Sequence, residues 1–283
     1  MRYGACIAMP VITTTATPTT TIHYEERGEG APIVLIHGWP LSHRMWEGQV
    51  NALAAAGHRC IAYDRRGFGE SGRPAGGFDY DTFASDLNDL ITALDLRDVT
   101  LAGFSMGGGE VARYIGRYGT SRVRGAILIG AVTPFMLKTD DNPEGVDGGV
   151  FDGMKAGVTS DRIAFLESFM KPFFNWTPGS GTPSDDVVAY SKSIAWVASP
   201  VGTQDCIDAF GRTDFRRDLA AVDVPTLVIH GDADQIVPLE VSGARAAAMI
   251  RGAKLEVVKG APHGLNATHG AELNALMLGF LER

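Results

Sequence analysis

A serine flanked by glycines stands where a predicted strand gives way to a predicted helix. The segment Val99–Tyr114 contains Gly103-x-Ser105-x-Gly107, preceded by an apolar run and followed by a helical pattern. The glycines are needed because so tight a turn leaves no room for neighbouring side chains, and the serine itself takes a strained backbone conformation. The hydroxyl then projects clear of the sheet, beside the free N–H groups of a helix N-terminus. This pattern predicts a nucleophilic serine.

A serine hydroxyl reacts only when a base takes its proton, and after a serine turn of this kind the acid and then the histidine follow along the chain. Of the seven histidines, three follow residue 214. His263 comes after the predicted strand Leu255–Val258, where the carboxyl end of a strand presents it at the upper edge of the sheet. His230 lies ahead of the acid, and His269 is placed to start the last helix. We expect His263 to be the base.

Two aspartates compete for the role of the acid, since Leu227–Pro238 contains both Asp232 and Asp234. Asp232 directly follows a turn glycine and is also typical of an Asx turn, whereas Asp234 lies further toward the active-site edge. We therefore favour Asp234, which would hold the tautomer of His263 and stabilise its imidazolium without itself being protonated.

Two backbone N–H groups are expected to hold the oxyanion that forms when the serine attacks. Met106 directly follows the nucleophile and supplies one of them. Trp39 supplies the other, because an early strand ends in the turn His37-Gly-Trp-Pro, where Gly38 permits a close approach and Pro40 restricts Trp39 to extended angles. Without this role, His37 would be a structural residue and Trp39 a packed aromatic.

Apolar residues beside the predicted triad indicate a hydrophobic pocket for an acyl or alcohol group. Each of them would also suit an ordinary core position, so the prediction depends on the triad. The predicted pocket residues are Trp39, Val132, Met136, Ile236 and Leu265.

Two glycine-containing turns could also be interpreted as a nucleotide-binding or phosphate-binding site. Gly103–Gly109 is glycine-rich, but its spacing is not the G-x-G-x-x-G of dinucleotide-binding folds. Asp64–Ser71 combines charged residues with glycines, and we interpret it as a tight loop whose aspartate and arginines pair locally.

Composition excludes several other classes of protein. The chain has 283 residues, 45% of them apolar and 20% charged, which is typical of a globular protein. A formal charge of −8, without a run of Lys or Arg, argues against a nucleic-acid-binding surface. Three scattered cysteines predict neither a disulfide framework nor a metal motif. The opening residues lack a signal or membrane-span pattern, so we expect a cytoplasmic protein, with Met9 as an alternative start to Met1.

The elements that position these residues follow an alternating pattern. From Ile22 onward, short apolar runs alternate with amphipathic segments, which predicts an α/β fold with a mostly parallel central sheet and helices on both faces. Helices are expected over Asp81–Leu94 and Ala271–Leu281. The predicted strands are Ile33–Ile36, Cys60–Tyr63, Thr100–Phe104, Ala126–Ile129, Thr226–Ile229 and Leu255–Val258.

The alternation fails between Pro134 and Asp214, where the chain is rich in Gly, Pro, Asp and Phe. An insertion of about 80 residues is too long for a loop, so it must contain helices, including Asp161–Met170 and Asp186–Ala198. The predicted parts are a flexible Thr-rich arm (1–21), an α/β core (22–134 and 215–283) and a helical cap (135–214) inserted after the sixth strand.

Five short segments between Ile22 and Arg283 carry a family resemblance. They are His37-Gly-Trp-Pro, Tyr63-Asp-Arg-Arg-Gly-Phe-Gly-Glu-Ser, Gly103-Phe-Ser-Met-Gly-Gly-Gly-Glu, His230-Gly-Asp-Ala-Asp-Gln-Ile-Val-Pro and Ala261-Pro-His-Gly. Through them the chain resembles the bacterial cofactor-free haloperoxidases, perhydrolases and aryl esterases of the α/β-hydrolase superfamily. The resemblance implies the α/β-hydrolase fold, a triad of Ser105, Asp234 and His263, and neither metal nor haem. It selects Asp234 over Asp232 independently of the positional argument.

The resemblance also implies an activity. In that family, hydrogen peroxide can replace water as acceptor of the acyl group, and the resulting peracid oxidises halide. The Trp39–Pro40 pair implies the perhydrolytic type, and we hypothesise that the Trp39 carbonyl accepts a hydrogen bond from peroxide. The expected partners are thus a small ester or carboxylic acid with water or peroxide, and similar proteins often form homo-oligomers. Leu265, Met136 and Leu239 replace aromatic residues of some relatives, which leaves the acyl-chain preference open.

We therefore expect a serine carboxylesterase with perhydrolase activity. Dehalogenases and epoxide hydrolases of this fold would need an aspartate in place of Ser105, whereas a lactonase or a carbon–carbon bond hydrolase would use the same triad. From a different class of function, a non-catalytic ligand-binding module is the alternative, and labelling of Ser105 by a phosphonate would separate it from an enzyme.

Overall fold

A computed structural model describes residues 10–282, which form a sheet of eight strands. The strand order across the sheet is β1-β2-β4-β3-β5-β6-β7-β8, with β1 and β2 antiparallel to their neighbours and all pairs from β4 to β8 parallel. The strands are β1 Val11–Thr13, β2 Thr21–Arg27, β3 Ala31–Ile36, β4 His58–Tyr63, β5 Val99–Phe104, β6 Val123–Ile129, β7 Thr226–Gly231 and β8 Lys254–Val258.

All six predicted strands are present, and the predicted α/β fold is confirmed. Every residue of β5 and β7 is buried, as expected for short apolar runs in the middle of a parallel sheet. Since parallel strands end at the same edge, the loops that follow β3, β5, β7 and β8 meet there. This edge brings together the segments in which the catalytic residues were predicted.

Two groups of helices pack against the sheet. Helices α2, α3, α7 and α8 contact one another in one group, and α1, α9 and α10 do so in the other. Within residues 10–282, no helix is both long and apolar enough to cross a membrane. The helices are α1 Glu47–Ala55, α2 Tyr80–Ala93, α3 Met106–Tyr118, α4 Gly148–Phe174, α5 Asp185–Trp196, α6 Pro200–Arg212, α7 Arg216–Ala220, α8 Gly243–Met249, α9 Leu265–Thr268 and α10 Gly270–Leu281, with short 3-10 helices at His43–Trp46 and Leu239–Val241.

The insertion after β6 is helical and contributes α4, α5 and α6, with α4 packed on the other two. The predicted helix Asp161–Met170 is the second half of α4, which is interrupted at Asp161 by non-helical backbone angles. The Asp161 carboxylate accepts a hydrogen bond from the Ala164 N–H at 2.9 Å, so it caps this second half as a separate helix would be capped. The predicted helix at Asp186 begins one residue earlier, after a Ser184 cap.

The prediction of a flexible arm over residues 1–21 is wrong for its second half. Val11–Thr13 forms β1, which pairs antiparallel with the start of β2. The Thr15 N–H then donates to the Asp89 carboxylate at 2.7 Å, which ties the segment to α2. Threonine is β-branched and suits an extended edge strand, even where no apolar alternation is visible. Residues 1–9, including both candidate start methionines, lie outside the described residues.

Candidate active site

Ser105 lies in the turn between β5 and α3 with φ 53° and ψ −117°, a strained conformation for a residue with a side chain. Its N–H donates to the Ile129 carbonyl on the neighbouring strand at 2.8 Å, which fixes the turn to the sheet. A Cβ at Gly103 would lie 2.3 Å from the Gly107 carbonyl oxygen, and one at Gly107 would lie 2.4 Å from that of Ile36. Both flanking glycines are therefore required by close backbone packing.

The structure brings the three predicted triad residues together. His263, in the loop after β8, has its Nε2 atom 2.9 Å from the Ser105 Oγ. Its Nδ1 atom lies 2.6 Å from the Asp234 Oδ2 in the loop after β7. Three loops at one sheet edge thus form a continuous hydrogen-bonded path from a carboxylate to a hydroxyl, the arrangement that lets histidine accept the serine proton.

Backbone groups hold the Asp234 carboxylate in place. Its Oδ1 atom accepts hydrogen bonds from the N–H groups of Ile236 at 2.9 Å and Val237 at 2.8 Å. Burial alone would raise the pKa of this carboxyl, but the charge of His263 and hydrogen bonds from His230 and His263 outweigh it and hold the pKa well below its usual range. Asp234 therefore stays ionised and keeps its second oxygen for His263.

The residues set aside in the choice of acid and base have other contacts. Asp232 accepts a hydrogen bond from the Gly260 N–H at 2.5 Å and so joins the loops after β7 and β8. His230 is fully buried behind Asp234, with its Nε2 atom 2.8 Å from the Val237 carbonyl oxygen and 3.4 Å from the Asp234 Oδ2. His269 directly precedes α10.

The expected oxyanion donors lie beside the nucleophile. A Cβ at Gly38 would lie 3.0 Å from the Ser105 Cβ, so the turn that carries Trp39 passes directly over the serine. Among the described residues, neither the Trp39 nor the Met106 N–H donates a hydrogen bond to another backbone group. The Trp39 indole donates to the Thr203 carbonyl of the cap at 3.0 Å, which anchors this turn.

The prediction that Asp64, Arg65 and Arg66 pair locally is wrong. Arg65 donates to Glu110 on α3 at 2.7 Å, and to the His37 carbonyl at 2.9 Å. Arg66 donates instead to the Asp86 carboxylate on α2, while the Asp64 carboxylate binds the backbone and ring of His43. These partners are distant along the chain, which is why no local pattern indicated them.

His37 is neutral in this structure because both of its ring nitrogens are used. Nδ1 donates to the Gly38 carbonyl at 2.9 Å, and Nε2 accepts from the Arg65 N–H at 3.0 Å. Burial, reinforced by the Arg65 charge, lowers the pKa of His37 to about 3. His37 therefore joins the turn before Trp39 to the loop after β4, a positioning role rather than a catalytic one.

An apolar cavity opens from Ser105 and His263 toward the cap. The cavity is narrow, with a volume of about 60 Å³ open to water-sized molecules. Four predicted pocket residues line it. The prediction is wrong for Leu265, which begins α9 and is not part of the lining. The lining also includes residues that the sequence did not single out: Val146, Val150, Phe151, Met154, Phe169, Phe210 and Val237.

Comparisons with known proteins agree with this architecture. Residues 31–269 match the family described as alpha/beta hydrolase fold. The chain is 45% identical to the non-heme chloroperoxidase of Kitasatospora aureofaciens, an alignment covering 97% of this chain and all of the relative. It is 35% identical to the bifunctional esterase/perhydrolase of Acinetobacter calcoaceticus, over 92% of this chain and 95% of the relative.

A solved structure is similar to this chain over almost its whole length. The crystal structure of bromoperoxidase from Bacillus anthracis superimposes with a TM-score of 0.91 at 50% sequence identity, covering 97% of this chain and all of that one. The family model matches most of the chain, and the sequence identities to these relatives are high. Together they establish the family to which the chain belongs. The chain is an enzyme that belongs to the α/β-hydrolase family and, within it, to the non-haem haloperoxidases.

Proposed function

We propose that this protein hydrolyses carboxylic esters through an acyl-enzyme intermediate on Ser105. The Ser105 Oγ attacks the ester carbonyl while His263 takes the hydroxyl proton, and the Trp39 and Met106 N–H groups hold the resulting oxyanion. Collapse of the tetrahedral intermediate expels the alcohol, which receives the proton from His263. Water, deprotonated by the same histidine, then attacks the acyl group and regenerates the enzyme.

The observation that carries this proposal is the hydrogen-bonded path from Asp234 through His263 to Ser105, with steps of 2.6 and 2.9 Å, at the mouth of an apolar cavity. An ionised carboxylate, a base and a hydroxyl in this geometry are suited to nucleophilic acyl transfer. Because the cavity is narrow and surrounded by aromatic and aliphatic side chains, we propose short acyl groups as the preferred substrates.

We further propose that hydrogen peroxide competes with water for the acyl group. This step releases a peracid and returns the proton to Ser105, and the peracid then oxidises halide away from the site. The names of the Acinetobacter and Kitasatospora relatives favour this activity. So does the Trp39 carbonyl, which accepts no hydrogen bond from any residue in 10–282 and belongs to the turn that passes over Ser105.

A panel of aryl esters with acyl chains of increasing length, assayed with and without peroxide, tests both parts. We expect fastest turnover of short esters, peracid formation when peroxide is present, and loss of both activities in Ser105→Ala. Ester turnover that survives Ser105→Ala would refute the acyl-enzyme. Bromination of a diketone that is equally fast in carboxylate-free buffer would refute the peracid route, because that route needs an acyl group.

A further inference from the structure

Two histidines and two glutamates converge on the face of the molecule where β2 meets the loops after β3 and β4. His23 and Glu25 lie on β2, His43 lies in the 3-10 helix His43–Trp46, and Glu70 lies in the loop after β4. One possible ligand atom from each residue lies within 4.8 Å of all the others. We call this group the His23 cluster. None of its members belongs to the triad or lines the cavity at Ser105.

The chain positions these residues by simple geometry. His23 and Glu25 are two residues apart on one strand, so their side chains leave the same face of the sheet. Glu25 and His23 each approach a residue from another segment of the chain. The His43 Nε2 lies 3.2 Å from a Glu25 oxygen, and the His23 Nε2 lies 3.9 Å from the Glu70 Oε2. The His23 cluster thus joins three separate segments of the chain.

Unpartnered nitrogen atoms indicate that the His23 cluster is built for a ligand. His23 is only 3% exposed, yet neither of its ring nitrogens has a hydrogen-bond partner among residues 10–282. Within the same residues, the Nε2 of the equally buried His43 makes no hydrogen bond of normal geometry, although a Glu25 oxygen lies 3.2 Å away. Buried polar atoms of this kind are costly and are usually satisfied. Both rings leave a nitrogen available toward carboxylates, the donor set that transition metal ions prefer.

The other ring nitrogen of His43 has the partner that a metal-binding histidine requires. Its Nδ1 lies 2.8 Å from the Asp64 Oδ1, and Asp64 is itself held by the His43 and Glu70 backbone N–H groups at 2.7 and 2.8 Å. A carboxylate behind the ring in this way fixes the tautomer and directs Nε2 toward a metal. Glu70 uses its Oε1 for Arg44 at 2.8 Å, which leaves the Oε2 for the cluster.

We propose that the His23 cluster binds one divalent transition metal ion, with Zn²⁺ as the best match. Bond lengths of about 2.0 to 2.2 Å in a tetrahedral site place neighbouring ligand atoms about 3.3 to 3.6 Å apart. The His43–Glu25 and His23–Glu70 distances of 3.2 and 3.9 Å are near this spacing, and all four ligand atoms lie within 4.8 Å of one another. Two carboxylates balance the charge of the ion, and two neutral imidazoles complete four ligands. Glu25 is 57% exposed and borders a hollow shared with His43, so an ion can enter from solvent.

The ion would act as a clamp rather than as a reactant. His43 lies four residues beyond Trp39 in the same connection between β3 and α1, so fixing His43 restrains the turn that passes over Ser105. Metal binding at the His23 cluster is independent of the reaction at Ser105, so it can be measured through ion stoichiometry and thermal stability instead of activity.

The test uses tag-free, full-length protein stripped with a chelator and then titrated with Zn²⁺ in a calorimeter. We expect one ion per chain and a rise in the melting temperature on addition of Zn²⁺. Glu25→Gln and Glu70→Gln should each weaken binding at least tenfold and reduce the thermal shift. Glu26→Gln is the matched control, because it changes an adjacent carboxylate that pairs with Arg59 outside the cluster, and it should bind like the parent. Co²⁺ should give the intense visible absorption of a tetrahedral complex, which Glu25→Gln should lose.

Two results would overturn the proposal. The first is the lack of saturable Zn²⁺ binding to the stripped parent protein, which would mean that His43 merely pairs with Asp64 and Glu25. The second is parental affinity in both Glu25→Gln and Glu70→Gln, which would place any bound ion elsewhere. Both substitutions change only the terminal group of a partly exposed glutamate, so we expect both variants to fold.

Discussion

Replacing Asp234 by asparagine should stop catalysis by reversing the tautomer of His263. The Oδ1 atom of Asp234 accepts two backbone N–H bonds, from Ile236 and Val237, and an asparagine will keep its carbonyl oxygen there. The amide NH₂ group must then face the His263 Nδ1, now 2.6 Å from Oδ2. Since two donors cannot share that hydrogen bond, the ring will carry its proton on Nε2 and can no longer accept the proton of Ser105.

The size of this effect follows from the role of the carboxylate. The same exchange in a serine protease triad lowers kcat about 10⁴-fold, which corresponds to about 5.5 kcal/mol of transition-state stabilisation. We expect a loss of that order in kcat for hydrolysis of a short aryl ester, with a much smaller change in KM. Because the pKa of Asp234 is held well below its usual range, protonation of the parent carboxylate will not obscure the comparison near neutral pH.

Asp232→Asn is the matched control, since it makes the same chemical change two residues away and preserves the carbonyl that accepts from Gly260. It should retain activity close to that of the parent. A loss of less than about tenfold in Asp234→Asn would mean that this carboxylate does not fix the tautomer of His263. A large loss in Asp232→Asn alone would assign the role of the acid to Asp232.

Three further predictions concern stability and the pocket. The pKa of His37 falls to about 3 on folding, so the unfolded chain binds an extra proton below pH 6.5. The His37 contribution to the free energy of unfolding should therefore drop by about 1 kcal/mol from pH 7 to pH 5.5. Urea titrations should show this drop as a difference in pH dependence between the parent and His37→Asn, and identical pH dependence would refute it. Ser105→Gly should be more stable than Ser105→Ala by about 1 kcal/mol in thermal unfolding, since glycine relieves the positive φ; equal stabilities would argue against strain. Met136→Ala should improve kcat/KM for longer acyl chains by about threefold per added methylene, and an unchanged chain-length profile would mean that the acyl group does not bind there.

Much of the framework could be predicted because its signals are local. A buried parallel strand is a short apolar run, and the turn at Ser105 needs its flanking glycines, so the sequence indicated both. The order of acid and base along the chain then narrowed the choice to Asp234 and His263. Their meeting at Ser105 requires the strands that precede them to end at one edge, a consequence of the parallel sheet.

The features that the sequence did not predict correctly depend on contacts between distant parts of the chain. Arg65 pairs with Glu110, 45 residues away, and no periodicity indicates such a partner. Leu265 follows two residues after His263, yet the chain enters α9 at that point and the buried Leu265 is not among the residues that line the cavity. Phe169 and Phe210 reach the cavity only because α4 and α6 lie over the sheet edge, although the phenylalanine-rich composition of the insertion was a usable signal.

Rapid-quench kinetics with an aryl acetate would detect the transfer of an acyl group to Ser105. We expect a burst of about one aryl alcohol per enzyme when deacylation is slower than acylation. Intact mass and peptide mapping of the quenched protein should then place one acetyl group on Ser105, and hydrogen peroxide should discharge it as peracetic acid. Steady turnover at parental rate in Ser105→Ala, or an acetyl group found on another residue while Ser105 stays unmodified, would contradict acyl transfer to Ser105.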